Sequence, residues 1–182
     1  MGVQTSYWIA FILIILIYAI YLSNVAGRLD RLHLKVENAR HALDRQLALR
    51  TSICKEIIKL TSIDKKLINE LENALKDSIQ EESLEVHSLQ EWEIESRVSI
   101  ALTNIFDDEN IVKTIEDKNL LTEIAAAIRR VSYALTFYND AAKSAIKVRK
   151  RWTVRFFRLF GRAAMPEIIR FQVQIPRGIE HY

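Results

Sequence analysis

Gln46 and Arg50 stand one helical turn apart on a stripe of residues that is otherwise apolar. Tyr138 and Asn139 form a polar pair on a second such stripe. A guanidinium drawn onto an apolar face needs a carboxylate or a set of acceptors, because an unpaired buried charge is prohibitively costly. The acidic middle of the chain offers carboxylates to Arg50, and Asn139 or Tyr138 could join Gln46 in a polar network. Two roles fit these four residues. One is a structural network that fixes helix register, and the other is a site that holds a ligand or partner.

A second group is cationic and aromatic. From Lys143 to Pro166 there are eight basic residues and no acidic one, and Trp152, Phe156, Phe157, Leu159 and Phe160 are interleaved. Lys and Arg gain ~1 kcal/mol each beside anionic headgroups, while Trp and Phe favour the lipid–water interface. Arg149, Lys150, Arg151, Trp152, Arg155, Phe156 and Arg158 are therefore the expected membrane-surface contacts. The same cations could instead cover the acidic helices of their own chain and complement a helix C-terminus. Contact with nucleic-acid phosphates and bases is a third use of such residues, although nucleic acid is not the expected partner.

The remaining chemistry-bearing residues form no recognisable constellation. His33, His41, His87 and His181 share no metal-ligand spacing. Four glycines lie too far apart for a phosphate cradle or a nucleophile elbow. Cys54 is the single cysteine, which excludes an intrachain disulfide and suits a reducing compartment. No enzymatic activity, cofactor, metal or small-molecule substrate is expected.

The elements that must position these groups begin with an anchor. Tyr7 to Leu22 is wholly apolar or aromatic, and no charge appears between Val3 and Ala26. A helix of ~20 residues covers the ~30 Å hydrocarbon core of a bilayer, so 3–26 reads as one transmembrane helix. A removable signal peptide fits less well, since no Lys or Arg precedes the run. Arg28, Arg31, Lys35 and Arg40 follow it, and the positive-inside rule then places the amino terminus outside and the rest in the cytoplasm of a cell membrane.

Beyond the anchor, two prolines and four glycines leave little turn chemistry, and 27% of residues are charged. This is long-helix composition. The first helix continues from Arg28 to about Leu60, with a heptad seam of the coiled-coil kind through Leu29, Leu32, Val36, Ala39, Leu43, Gln46, Arg50, Ile53, Ile57 and Leu60. Thr61-Ser62-Ile63-Asp64 supplies cap candidates for a second helix over about 64–80. A third covers about 84–105, and a fourth runs from Leu120 to about Lys150. The expected fold is all-α: an antiparallel bundle of about four long helices over 28–150, followed by a basic-aromatic segment and irregular tail over 151–182. Charge is segregated along it. Residues 1–63 carry 8 basic and 4 acidic side chains, 64–123 carry 6 and 16, and 124–182 carry 12 and 3. An acidic middle and a basic end can pair inside a bundle.

Ala42 to Ile58, ALDRQLALRTSICKEII, resembles the first long helix of the LemA family, with Gln46, Leu47 and Arg50 at its QL-x-x-R positions. Lys55 and Glu56 stand where that family has proline and asparagine. FYNDAAKSA, Phe137 to Ala145, resembles its YN-x-x-V segment through Tyr138 and Asn139, with Ala142 in place of valine. The resemblance implies a divergent bacterial LemA-like protein: a cytosolic helical bundle on an N-out anchor, without established enzymatic activity. The resulting expectation is a non-enzymatic interaction or assembly module at the cytoplasmic membrane face, in contact with anionic lipid and forming a homo-oligomer or membrane complex. The alternative is an accessory subunit regulating a membrane enzyme or protease.

Overall fold

The structure is a computed structural model that describes all residues except Met1, 61–62, 83–88 and 161–163, with the side chains of 2–6, 80–82 and 89–91 also outside it. Thr61, Ser62, His87 and the expected start of the third helix at 84 lie outside the described residues. The described chain is helical and contains no strand.

No proline occurs before Pro166, so nothing removes a backbone donor or collides with the preceding turn of a long helix. α1 accordingly runs from Gly2 to Ile57, 56 residues, without a break at Gly27. Its portion from Tyr7 onward is long and apolar enough to cross a membrane, and Tyr7, Ile12, Leu16 and Ile20 are exposed. α2 (Lys65–Glu82) and α3 (Leu89–Phe106) follow, then a short α4 (Glu109–Thr114) between the expected third and fourth helices. α5 covers Lys118–Arg149 and α6 covers Trp152–Phe156. Aspartates start three of these helices. Asp64 accepts from the Lys66 amide at 3.1 Å, Asp108 from Asn110 at 2.8 Å, and Asp117 from Asn119 and Leu120 at 2.9 and 3.1 Å. Part of the acidic charge of 64–123 thus sits at helix N-termini, where free amides and the dipole favour it.

The chain forms two compact units. One comprises Met1–Asn38 with Asp140–Glu167, and the other Ala39–Asn139 with Ile168–Tyr182.

The larger unit is the bundle, and its contacts give the direction of each helix. Arg40 lies over Trp92 and Arg50 meets Glu95 and Ser99, so α1 and α3 run parallel. Asp77 pairs with Arg97 and Ser78 with Glu95, so α2 runs against α3. Leu71, Leu75, Val98, Leu102, Ile105, Leu121, Ile124 and Ile128 meet in one core, and Ala125 lets α5 approach closely. The heptad stripe of α1 is offset from the expected seam. Leu43, Leu47, Arg50, Cys54 and Ile57 are buried, whereas Gln46 and Ile53 are half-buried at its edge.

The carboxy-terminal tail has irregular backbone but belongs to this bundle. It runs along α3, with Phe171 stacked on Trp92 at 5.8 Å and the Arg177 amide donating to Asp107 at 3.0 Å. It runs against α5, where Arg129 donates at 2.7 Å to the carbonyls of both Glu180 and Tyr182. α3 and α5 are therefore antiparallel, and the four long helices alternate up and down. Ile179 is fully buried. The tail approaches so closely that a Cβ on Gly178 would lie 2.3 Å from the Phe106 carbonyl oxygen.

Gly178→Ala should therefore destabilise the bundle by about 1–3 kcal/mol through overpacking against backbone. Gly27→Ala, where a Cβ meets nothing within 4 Å, should instead stabilise α1 by up to about 1 kcal/mol. Thermal melts followed by circular dichroism in detergent read both.

Candidate functional site

Arg50 is buried because the apolar stripe of α1 passes through it. Only 1% of its side chain is accessible, against 7% for Glu95, its ion-pair partner on α3. The second guanidinium nitrogen donates to Ser99 Oγ at 3.0 Å. Glu95 is saturated in turn: one carboxylate oxygen receives Arg50 and the other receives the Ser78 hydroxyl from α2 at 2.8 Å. A carboxylate with both oxygens engaged is poorly placed to act as a base, so the geometry favours the structural role over the ligand site.

Glu95 carries a signal of its own in the sequence. Glu95 precedes Val98, Leu102 and Ile105 at spacings of three, four and three, on the apolar stripe of α3. A carboxylate on one buried stripe is the counterpart of a guanidinium on another.

Among the described residues Gln46, Arg50 and Asn139 are not brought into one network. Asn139 closes a paired hydrogen bond with the Ile169 peptide, donating from Nδ2 at 2.9 Å and accepting at Oδ1 at 3.0 Å. Both of its amide ends therefore serve the tail rather than Gln46. Tyr138 is buried at 5% exposure. Gln46 Oε1 and Arg50 Nε are buried without a hydrogen-bond partner among the described residues. Cys54, one turn after Arg50, is fully buried, and burial chiefly pushes its thiol from 9.0 up to about 12, with the Glu95 charge adding and Arg50 opposing.

The basic-aromatic residues belong to the smaller unit. Leu29 of α1, Val148 of α5 and Val154 of α6 form its core, and Val25, Leu32, Leu159 and Phe160 pack around them. Phe157 meets Tyr18 of α1 at 5.7 Å between ring centroids. Phe156 packs edge-on to Phe157 at 4.9 Å and is stacked by Trp152 at 5.1 Å. The aromatic run therefore starts within the apolar part of α1 and ends at Trp152, which is 70% exposed.

α6 ends in a Schellman turn. The Leu159 amide reaches the Val154 carbonyl and the Arg158 amide reaches that of Arg155, with Leu159 and Val154 in the same apolar cluster. The turn requires a left-handed residue, and Arg158 takes it at φ 47° where glycine is usual.

Lys150, Arg151, Arg155 and Arg158 are exposed, and none is paired with a carboxylate among the described residues. Arg149 differs from the expected surface contact. It is 8% exposed, donates to the Ala164 carbonyl at 2.5 Å and lies 4.8 Å from the Phe160 ring centroid. Its guanidinium secures the segment after α6 instead of facing lipid. An open groove of about 430 Å³ is lined by Lys150, Trp152, Arg155 and Phe156.

His33 pairs with Glu37 at 3.4 Å on an exposed face, and His41 and His181 are exposed. Among the described residues no three His, Cys, Asp or Glu side chains converge as metal ligands would. Fold and sites define an all-α bundle with a long apolar amino-terminal helix and a cationic, aromatic face. No protein-family model, curated protein or solved structure matches the chain.

Arg50→Met should cost about 3–5 kcal/mol, because Glu95 is left charged and buried. Adding Glu95→Leu should return stability to the parent level or above, as read in chemical-denaturant melts. For Cys54, the folded thiol holds its proton up to about pH 12 while the unfolded one ionises near 9. Its contribution is thus complete below pH 9 and is lost as pH rises from there towards 12, by up to about 1.4 kcal/mol per unit. Cys54→Ala should be less stable at neutral pH but should fall less steeply over that alkaline window.

Proposed function

We propose that this protein is a non-enzymatic, single-pass membrane protein of LemA-like type. Its helical bundle serves as an interaction or assembly module at the cytoplasmic face, with the amino terminus outside. The observation that carries the reading is the packing of 140–167 against the first part of α1. It sets exposed Trp152, Phe156, Lys150, Arg151, Arg155 and Arg158 beside a helix whose apolar run has the length of a bilayer crossing. Cations and aromatic rings are the side chains that a headgroup layer accommodates. The Glu95 carboxylate, with both oxygens engaged by Arg50 and Ser78, supports a scaffold rather than a catalyst.

The accessory-subunit reading has its own support. Tyr133 and Phe137 lie one turn apart on α5 and are 63% and 72% exposed. Large exposed rings at that spacing suit a protein partner.

Fractionation and proteolysis test the anchor and its direction. The full chain should stay with membranes through alkaline carbonate extraction. A carboxy-terminal tag should be protected from protease in intact cells and cleaved once they are opened. Extraction by carbonate removes the anchor, and cleavage in intact cells reverses the topology.

A further inference from the structure

We infer that the groove between Lys150, Trp152, Arg155 and Phe156 is a discrete site for one anionic phospholipid headgroup, bound through its phosphodiester. The inference rests on α1 crossing the bilayer, and goes beyond a diffuse attraction of basic charge to lipid. The groove has two cations and two aromatic walls. Arg155 offers a planar fork of donors and Lys150 a compact point charge, the two side chains that hold phosphate oxygens best. Neither is engaged by a carboxylate among the described residues, and the sequence places no acidic residue between Lys143 and Pro166. At about 430 Å³ the groove falls within the range of small-molecule sites.

Position along α1 argues for a lipid source of that phosphate. Phe157 touches Tyr18, four residues before the apolar run ends at Leu22, a depth of about 6 Å at the helical rise. Interfacial segments bury about 5–10 Å of their apolar face below the headgroups. Phe157 therefore reaches the hydrocarbon edge while Phe156 and Trp152 carry the aromatic surface outward to the groove. The acyl chains of a bound lipid would lie beside Phe157 and the apolar face of α1. The two cations favour a headgroup without an amine, such as phosphatidylglycerol, over a zwitterionic one whose ammonium they repel.

Native mass spectrometry of the full-length protein, released from nanodiscs that mix phosphatidylcholine with phosphatidylglycerol, tests the site. One phosphatidylglycerol per chain should be retained in preference to phosphatidylcholine. Lys150→Gln/Arg155→Gln should weaken retention by about tenfold more than Arg151→Gln/Arg158→Gln, which removes equal charge outside the groove, a difference of about 1.4 kcal/mol. Lys150→Arg, which keeps the charge, should leave retention unchanged, with circular dichroism confirming that every variant is folded. Equal losses from the two double variants, or equal retention of the two lipids, would overturn the discrete site. So would displacement of the lipid by a short single-stranded RNA that binds more tightly. A chain that stays membrane-integral in carbonate but fails these comparisons loses only the groove. A chain that carbonate extracts loses the anchor as well.

Discussion

The buried contact between Arg50 and Glu95 constrains three helices of the bundle at once. Through it α1 meets α3, and through the Ser78 hydroxyl on the same carboxylate α2 is brought to the same level. Removing two charges from water costs several kcal/mol each, so such a pair adds little net stability compared with apolar side chains of similar volume. Its physical effect is on alternatives. A slip of α3 by one turn would bury Glu95 and Arg50 apart, while Leu, Ile and Val side chains around them would tolerate the slip far better. The pair selects one register from several that apolar packing alone would leave close in energy.

The tail completes what the four helices leave open. Between α3 and α5 the chain from Ile168 to Tyr182 contributes Ile179 and Val173 to the core. It is held at three levels by Asn139, Asp107 and Arg129. None of these contacts needs regular backbone. Side chains of the helices bond directly to main-chain groups of the tail, which satisfies peptide polarity that strand or helix would otherwise satisfy. The close approach at Gly178 is the steric side of the same arrangement.

In the smaller unit the organising feature is an apolar seam, Leu29–Val148–Val154, that joins α1 to α5 and α6. With Val154, Leu159 and Phe160 turned to that seam, the segment after Lys150 presents its cations, Trp152 and Phe156 outward. The left-handed Arg158 puts a charged residue where glycine would be the relaxed choice. Arg149 shows the other use of a cation here, since its buried guanidinium closes the fold of the unit on itself. Five neighbouring basic residues in one run thus divide between internal support and outward charge.

Much of this was legible in the residues themselves. An unbroken apolar run, scarce Pro and Gly and a three-four spacing determine long helices, because those properties act within one segment and need no partner. The demand of Arg50 for a carboxylate was equally plain, as was the cationic and aromatic character of 143–160. What the tertiary structure alone decided is which groups meet. Glu95 was one of sixteen acidic residues in the middle segment, and its place on the apolar stripe of α3 becomes a pairing with Arg50 only through the packing of α3 on α1. Leu47 and Cys54, rather than Gln46 and Ile53, turn fully inward because the stripe follows the facing helices and not an ideal heptad. Asn139 serves the tail, Arg149 is buried and an irregular terminus becomes part of the core, since each outcome depends on residues 15 to 76 positions away in the chain. Local periodicity carries no information about such contacts, and they are what turn a set of helices into this bundle.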